Sequence, residues 1–511
     1  MRSKRFFYNT ISSLFGQIIT IICGMILPRV MIAGFGSELY GTTTSIAEFL
    51  GYISLLEGGI GAVARSALYK PLAEHDVDGI NAVVSSVKQF FSKLAVIFVV
   101  YTLIIACTYK NVASEYIYDW SFTFFLVIVI SLSTFAEYFF GITNFLLIQA
   151  DQRAYVVRTL QSLAIALNTI LACILIYFQC NIFVVKFAYS LIHFVRIFVL
   201  SRYVKKRYQI KKTSEHGNVL QQKWDCLAQH IAYFLHSKTD IFVLTVFTNM
   251  REIAVYSIYN YITTSLMVLA SSFIAGSEAV FGNMLAKHEE EKLMNFFELM
   301  EFMIHVIVIV FFSTAAVVIM PFIHIYTNGI SDADYYRPMV AYLLLIAEGI
   351  YCLRQPYHQM TIAAGEFKST RTAAFIEAGL NIGLSCFWVR KYGMSGVALA
   401  TVMAMAYRTI YYVYFLTKNI IKRSLLKFVK RWIATIVNIS AILVVCSFLP
   451  CNFESISNYF EWIGISVIVG CISIIITGIF SMILYRKECK QFIDKCLNSI
   501  GIKNIHKSLR K

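Results

Sequence analysis

Four residues within one apolar stretch, Lys186, Tyr189, His193 and Arg196, are spaced by three, four and three positions. On a helix that spacing places all four in one stripe. Two fixed cations and a titratable imidazole on one face suit the binding of an anion, and a guanidinium matches the geometry of a phosphate best. Such a stripe is costly against lipid, because an ionisable group at the centre of a spanning helix costs at least about 2.5–3.5 kcal/mol. Two readings stand for its ends. Lys186 either lines an aqueous cavity or extends to the outer interface. Arg196 lies deeper, which favours the cavity over the inner interface.

A second stripe of Glu348, Tyr351, Gln355 and His358 has the same spacing, with Arg354 and Pro356 inside it. Proline removes a backbone hydrogen bond and can kink a spanning helix. Arg29 follows Pro28, and is a cavity cation or an interface anchor. Glu48 and Glu57 sit well inside an apolar stretch, the latter ahead of Gly58 and Gly59. Lys238 and Asp240 are two apart and point away from each other on a helix, so each must find its partner elsewhere. Arg408 lies among Tyr407, Tyr411 and Tyr412, an arrangement suited to sugar stacking or cation–π contact, or to an interfacial tyrosine belt. The candidates for anion or substrate binding are therefore Arg29, Lys186, His193, Arg196 and Arg408. Glu57, Asp240 and Glu348 are the candidates for ion coupling or gating, through an H+ or Na+ gradient. One charge moved through the membrane potential is worth about 2.3 kcal/mol per 100 mV.

The chain lacks the sequence patterns of catalysis. No Walker A, HExxH or GxSxG pattern occurs, and none of the 12 cysteines forms a CxxC or Cys/His pattern. No catalytic residue, metal ligand or cofactor is expected, and a transporter is favoured over an enzyme.

The elements that carry these residues follow from hydropathy. Apolar residues make up 58% of the 511 and charged residues 14%. A soluble chain carries about 25% charge. The apolar runs are continuous, not alternating, and a crossing takes roughly 20 such residues. About 14 spans result, near 6–33, 42–64, 84–109, 120–149, 160–178, 182–203, 226–247, 253–285, 302–326, 339–363, 372–389, 394–416, 432–449 and 462–485. The expected fold class is thus an all-α polytopic membrane protein. Arg2, Lys4 and Arg5 precede a long apolar run with no small-residue cleavage site, which reads as an uncleaved first span.

The net charge of +16 is a topology signal. Most of the basic residues fall in alternate loops and in the two tails. The opposite loops hold only Lys110, Arg251, Arg337, Arg390 and Lys391. This positive-inside asymmetry places both termini in the cytoplasm and argues against a nucleic-acid partner.

The chain also repeats itself weakly. Ala136-Glu137, Arg158-Thr159, Leu167-Asn168 and Arg196 recur in order as Ala347-Glu348, Arg371-Thr372, Leu380-Asn381 and Arg408. The offset stays at about 212 residues, the pattern of a transporter built from two similar halves. The expected organisation is a six-helix lobe over 1–210, a second over 211–425, and two extra helices with a basic cytoplasmic tail over 426–511.

The segments GFGSELYG (34–41), LLEGGIG (55–61) and ARSALYKPLAEHD (64–76), with EIAVYS (252–257) in the second half, resemble the polysaccharide flippases of the multidrug/oligosaccharidyl-lipid/polysaccharide (MOP) exporter superfamily. The likeness is to the O-antigen, Wzx-type branch. It implies a MATE-like pair of six-helix lobes that alternate between inward and outward openings. It also implies a bacterial inner (plasma) membrane location and a role in the lipopolysaccharide or other polysaccharide of the cell envelope. The substrate it implies is an undecaprenyl-pyrophosphate-linked oligosaccharide, moved from the cytoplasmic to the periplasmic leaflet. Membrane lipids, a glycan polymerase and glycosyltransferases would be its partners. The cations named above would line its lumen by position. The alternative is a cation-coupled multidrug exporter of the same superfamily, and a membrane glycan polymerase or ligase ranks third.

Overall fold

A computed structural model describes residues 2–57, 60–208, 238–274, 276–449 and 456–491. These residues are mostly helical, joined by turns and by irregular stretches at 113–119 and 327–337. Ten of the helices are long and apolar enough to cross a membrane. Many large apolar side chains on them face outward, among them Phe198 at 66% and Ile475 at 60% exposure. Such surfaces are stable only against hydrocarbon, so the chain is a multi-pass membrane protein.

Two of the ten helical runs are double length, Phe15–Glu57 (43 residues) and Ser369–Ile421 (53 residues). Each carries one glycine in a conformation that residues with a Cβ rarely adopt: Gly36 (φ 82°, ψ 163°) and Gly393 (φ 54°, ψ −136°). Each run therefore holds two of the spans expected from hydropathy. Helix Pro338–Ala363 is long enough to cross but more polar, since it carries Glu348 and Arg354. The span expected near 226–247 lies mostly outside the described residues, as do Gly58 and Gly59.

The chain forms two compact units. The first comprises Met1–Ile258 with Ile330–Ala333 and Val389–Gly393. It contains α1 (Arg2–Gly51), a 3-10 turn (Tyr52–Glu57), α2 (Ile60–Glu74), α3 (Val77–Val112) and α4 (Trp120–Ala136). A π turn (Glu137–Gly141), α5 (Ile142–Ala150), α6 (Ala154–Tyr177) and α7 (Ile182–Arg207) follow. At the Gly36 break the new helix start is capped by Asp332. Ser37 donates its backbone N–H (2.6 Å) and its hydroxyl (2.7 Å) to that carboxylate. The N-terminus of α3 is capped by Asp76, which accepts from Gly79 N–H at 3.0 Å. That of α7 is capped by Asn181, which accepts from Val184 N–H at 3.0 Å.

The second unit comprises Tyr259–Gly329, Asp334–Trp388 and Met394–Lys511. Helix α8 (Met250–Ser272) belongs to the first unit up to Ile258 and to the second from Tyr259. The rest are α9 (Ser277–Ala286), α10 (Glu290–Tyr326), α11 (Pro338–Ala363) and α12 (Phe367–Leu416). A π turn (Thr417–Ile421) leads to α13 (Leu425–Ser447) and α14 (Tyr459–Leu484). The last two helices pack on α10 through a seam of Ile309, Val318, Ile442, Cys446 and Val469. Trp462 donates its indole N–H to the Val318 carbonyl (2.9 Å), and Ser313 bonds Ser473 at 3.2 Å across the same seam.

Two long runs in the sequence have local explanations. The run 120–149 is α4, the Glu137–Gly141 π turn and α5 in direct succession, one continuous run of 31 residues with Ala150. The run 253–285 is two helices, α8 and α9, joined by a short turn.

Candidate functional site

Helix α7 presents the four-residue stripe. Lys186 and His193 are half-buried. The Tyr189 and His193 rings lie edge to face, 4.8 Å apart. Lys186 forms no ion pair among the described residues. Arg196 donates through Nη2 to Glu137 and keeps further guanidinium donors outside that pair. Lys186 and Arg196 are ten residues apart, about 15 Å along the helix at 1.5 Å per residue.

Glu137 is the first residue of the π turn. Its carboxylate lies over Gly141, where a Cβ would fall 3.2 Å from it. The π turn and the glycine together make room for the Arg196–Glu137 pair between α4 and α7. π turns of this kind frequently mark functional sites.

Elsewhere in the first unit, the expected separation of Lys238 and Asp240 holds. Lys238 pairs with Glu48 (2.7 Å), and its carbonyl accepts from the Tyr52 hydroxyl (3.0 Å). Asp240 accepts from the Tyr256 hydroxyl. Glu38 pairs with Arg251 at 3.1 Å. Glu57 closes the 3-10 turn, and its carboxylate and the Arg65 guanidinium both lie over Gly61. Arg29 is half-buried on α1, one residue after Pro28 and ahead of the Gly36 break.

In the second unit a single carboxylate holds two arginines. Glu377 is fully buried, and accepts from Arg354 Nη1 (2.9 Å) and from Arg408 Nη1. Arg354 also lies over the Tyr351 ring at 5.0 Å. Arg408 lies over Tyr412 and donates to its hydroxyl at 3.4 Å. The His358 ring meets Tyr412 edge to face at 5.6 Å. Glu348 accepts from the Thr264 hydroxyl at 3.4 Å. The sequence repeat aligns Arg196 with Arg408 and Glu137 with Glu348. The arginines nevertheless take partners from non-equivalent positions, Glu137 in the first unit and Glu377 in the second.

Sequence reasoning assigned no role to Glu137, Glu377 or a third cluster around Glu301. Glu301, on α10, accepts from Arg423 (2.6 Å), from Arg431 (2.6 Å) and from the Tyr357 hydroxyl. Arg431 also reaches Glu488 at 3.4 Å. Arg423 lies between spanning helices. Burial works against its charge, yet the Glu301 carboxylate it bonds raises its affinity for its proton above the ordinary guanidinium range. The signal available for Glu137 and Glu377 was an acid inside an apolar run. Glu301 stands one residue before the span expected over 302–326, outside the apolar run itself. Among the described residues, no group of His, Cys, Asp and Glu is placed to hold a metal.

No protein-family profile and no curated protein sequence matches the chain. Solved structures do match its fold. The lipid II flippase MurJ, in an inward closed conformation, superposes with a TM-score of 0.71 at 17% identity, covering 94% of this chain and 98% of that one. A multidrug resistance MATE family transporter of the MOP superfamily, inward-facing, gives 0.54 at 16% identity, covering 78% and 95%. The Vibrio cholerae MATE transporter VcmN, in a bent form, gives 0.53 at 13% identity, covering 81% and 97%. The chain has the MOP fold. At these identities the likeness shows the fold alone.

Proposed function

We propose that this protein is a flippase for lipid-linked oligosaccharides. It moves undecaprenyl-pyrophosphate-linked glycan repeat units from the cytoplasmic to the outer leaflet by alternating access, as a transporter and not an enzyme. The membrane is the bacterial inner membrane, with both termini cytoplasmic. An H+ or Na+ gradient drives the cycle through Glu57, Asp240 or Glu348.

The observation that carries this reading is the α7 face. Lys186 has no carboxylate partner among the described residues, and Arg196 keeps donors beyond its pair with Glu137. A pyrophosphate supplies the anionic oxygens such a face needs, and a lipophilic cation would be repelled by it. The MurJ fold match over 94% of the chain is consistent with lipid-linked cargo.

The alternative is a multidrug exporter, since MATE transporters share the fold. Surface glycan and ethidium efflux, measured together in deletion and complemented cells, separate the two. The flippase reading expects lost surface glycan, lipid-linked units retained on the cytoplasmic leaflet and unchanged ethidium efflux. Normal glycan with lost efflux reverses the ranking.

A further inference from the structure

His305 on α10 and Asn438 on α13 are 4% and 3% exposed. Neither belongs to the proposed transport site. The Thr435 hydroxyl donates to the Arg431 carbonyl at 2.9 Å, which uses its one proton. Its 2.7 Å contact with His305 Nδ1 therefore has the ring N–H as donor. A neutral imidazole that donates from Nδ1 presents an acceptor at Nε2. That Nε2 has no partner, and neither does Oδ1 of Asn438. Thr435 and Asn438 are three residues apart and share one face of α13.

Both side chains line a cavity of about 20 Å³, with Arg431, Thr435, Ser481 and Tyr485 among the other walls. One water needs roughly 10–15 Å³ of such space and two or more polar partners. Buried acceptors without partners are rare, because each loses its hydration without compensation. We propose that this cavity binds one water-sized hydrogen-bond donor, a water molecule that bridges His305 Nε2 and Asn438 Oδ1. A metal or alkali cation suits the site poorly, because the Arg431 guanidinium lines it. The charged and titratable groups around His305 are Glu301 on its own helix, Arg431 on α13, Arg423 before it, Tyr357 on α11, and Tyr485 and Glu488 after α14. With the water in place, a continuous polar chain runs from Glu301 through Arg431, Thr435 and His305 to Asn438. It would fasten α13 to α10, independently of what the protein transports.

The test is thermal unfolding of the purified full-length protein in detergent. The variants are His305→Phe, Asn438→Leu and the double substitution. A shared water predicts that each single variant lowers Tm by about 2–4 °C. It predicts that the double variant loses no more than the worse single one, because no orphaned acceptor remains. His305→Gln keeps an acceptor and should stay closer to wild type than His305→Phe, which covers the case where the phenylalanine variant fails to fold. A dry cavity would give the opposite sign, each apolar side chain filling space and raising Tm. That result, or fully additive losses, would overturn the proposal. So would a wild-type Tm that rises with sodium or ammonium over choline at fixed ionic strength while the double variant does not respond, since the ligand would then be a cation.

Discussion

Arg196 on α7 donates to Glu137, the first residue of the π turn between α4 and α5. The arginine side chain is 14% exposed and the glutamate 35%. The carboxylate balances a charge that would otherwise stand alone inside a span, while a guanidinium with five donors retains several for a second anion. The pair is thus a held cation, positioned without being consumed.

If those remaining donors bind phosphate, Arg196→Ala should lower export of lipid-linked glycan by about 10–100-fold, the worth of a charge-assisted hydrogen bond. Arg196→Lys should recover part of it, keeping charge but not the bidentate fork. Glu137→Gln should cost far less than Arg196→Ala. Export assays on membranes with equal protein content check this. Equal losses in Glu137→Gln and Arg196→Ala would show that the pair is purely structural, and wild-type export by Arg196→Ala would remove Arg196 from the site.

Glu377 offers a contrasting case. It is fully buried and holds both Arg354 and Arg408. Glu377→Gln leaves two buried guanidinium groups sharing a neutral amide, and breaking a buried pair costs about 3–5 kcal/mol. We expect a large fall in Tm and in the yield of inserted protein. A Tm within a degree of wild type would contradict the triad as a stabilising feature of the second unit.

The Gly36 break should not tolerate a side chain. Its φ of 82° with ψ 163° lies in a region essentially reserved for glycine, and forcing alanine there costs about 1–3 kcal/mol. Asp332→Asn should weaken the cap that Ser37 donates to, with a smaller effect of about 1 kcal/mol. Unfolding curves for the two variants test the order. Asp332→Asn proving the more harmful would place the strain elsewhere.

Topology follows from the basic-residue asymmetry. Cysteine labelling from outside the cell should reach substitutions at Ser331 and Asn452 and spare those at Lys212 and Lys507. Asn452, Lys212 and Lys507 lie outside the described residues. Ser331 found on the cytoplasmic side would contradict the assignment.

How much of this was legible in the sequence varied with how local the cause was. The Gly36 and Gly393 breaks sat in the GFGSELYG segment and between two apolar runs, where glycine between helical stretches marks a turn. The separate fates of Lys238 and Asp240 followed from a spacing of two on a helix. Partner choice did not follow. Arg196 with Glu137, and Arg408 with Glu377, are set by which helices approach, and the internal repeat would have paired Arg408 with Glu348. Arg423 and Arg431 read as loop charges until α13 folded back beside α10 and brought them to Glu301.

The proposed cargo is a lipid-linked pyrophosphoryl oligosaccharide. The most direct test reconstitutes the purified protein in liposomes with fluorescent undecaprenyl-pyrophosphate-linked oligosaccharide. An impermeant glycosidase then reports how fast the probe crosses between leaflets. Protein-dependent crossing should fall about tenfold or more in Arg196→Ala and in Lys186→Ala, with no ethidium transport by the same vesicles. Ethidium transport without movement of the lipid-linked probe would contradict it.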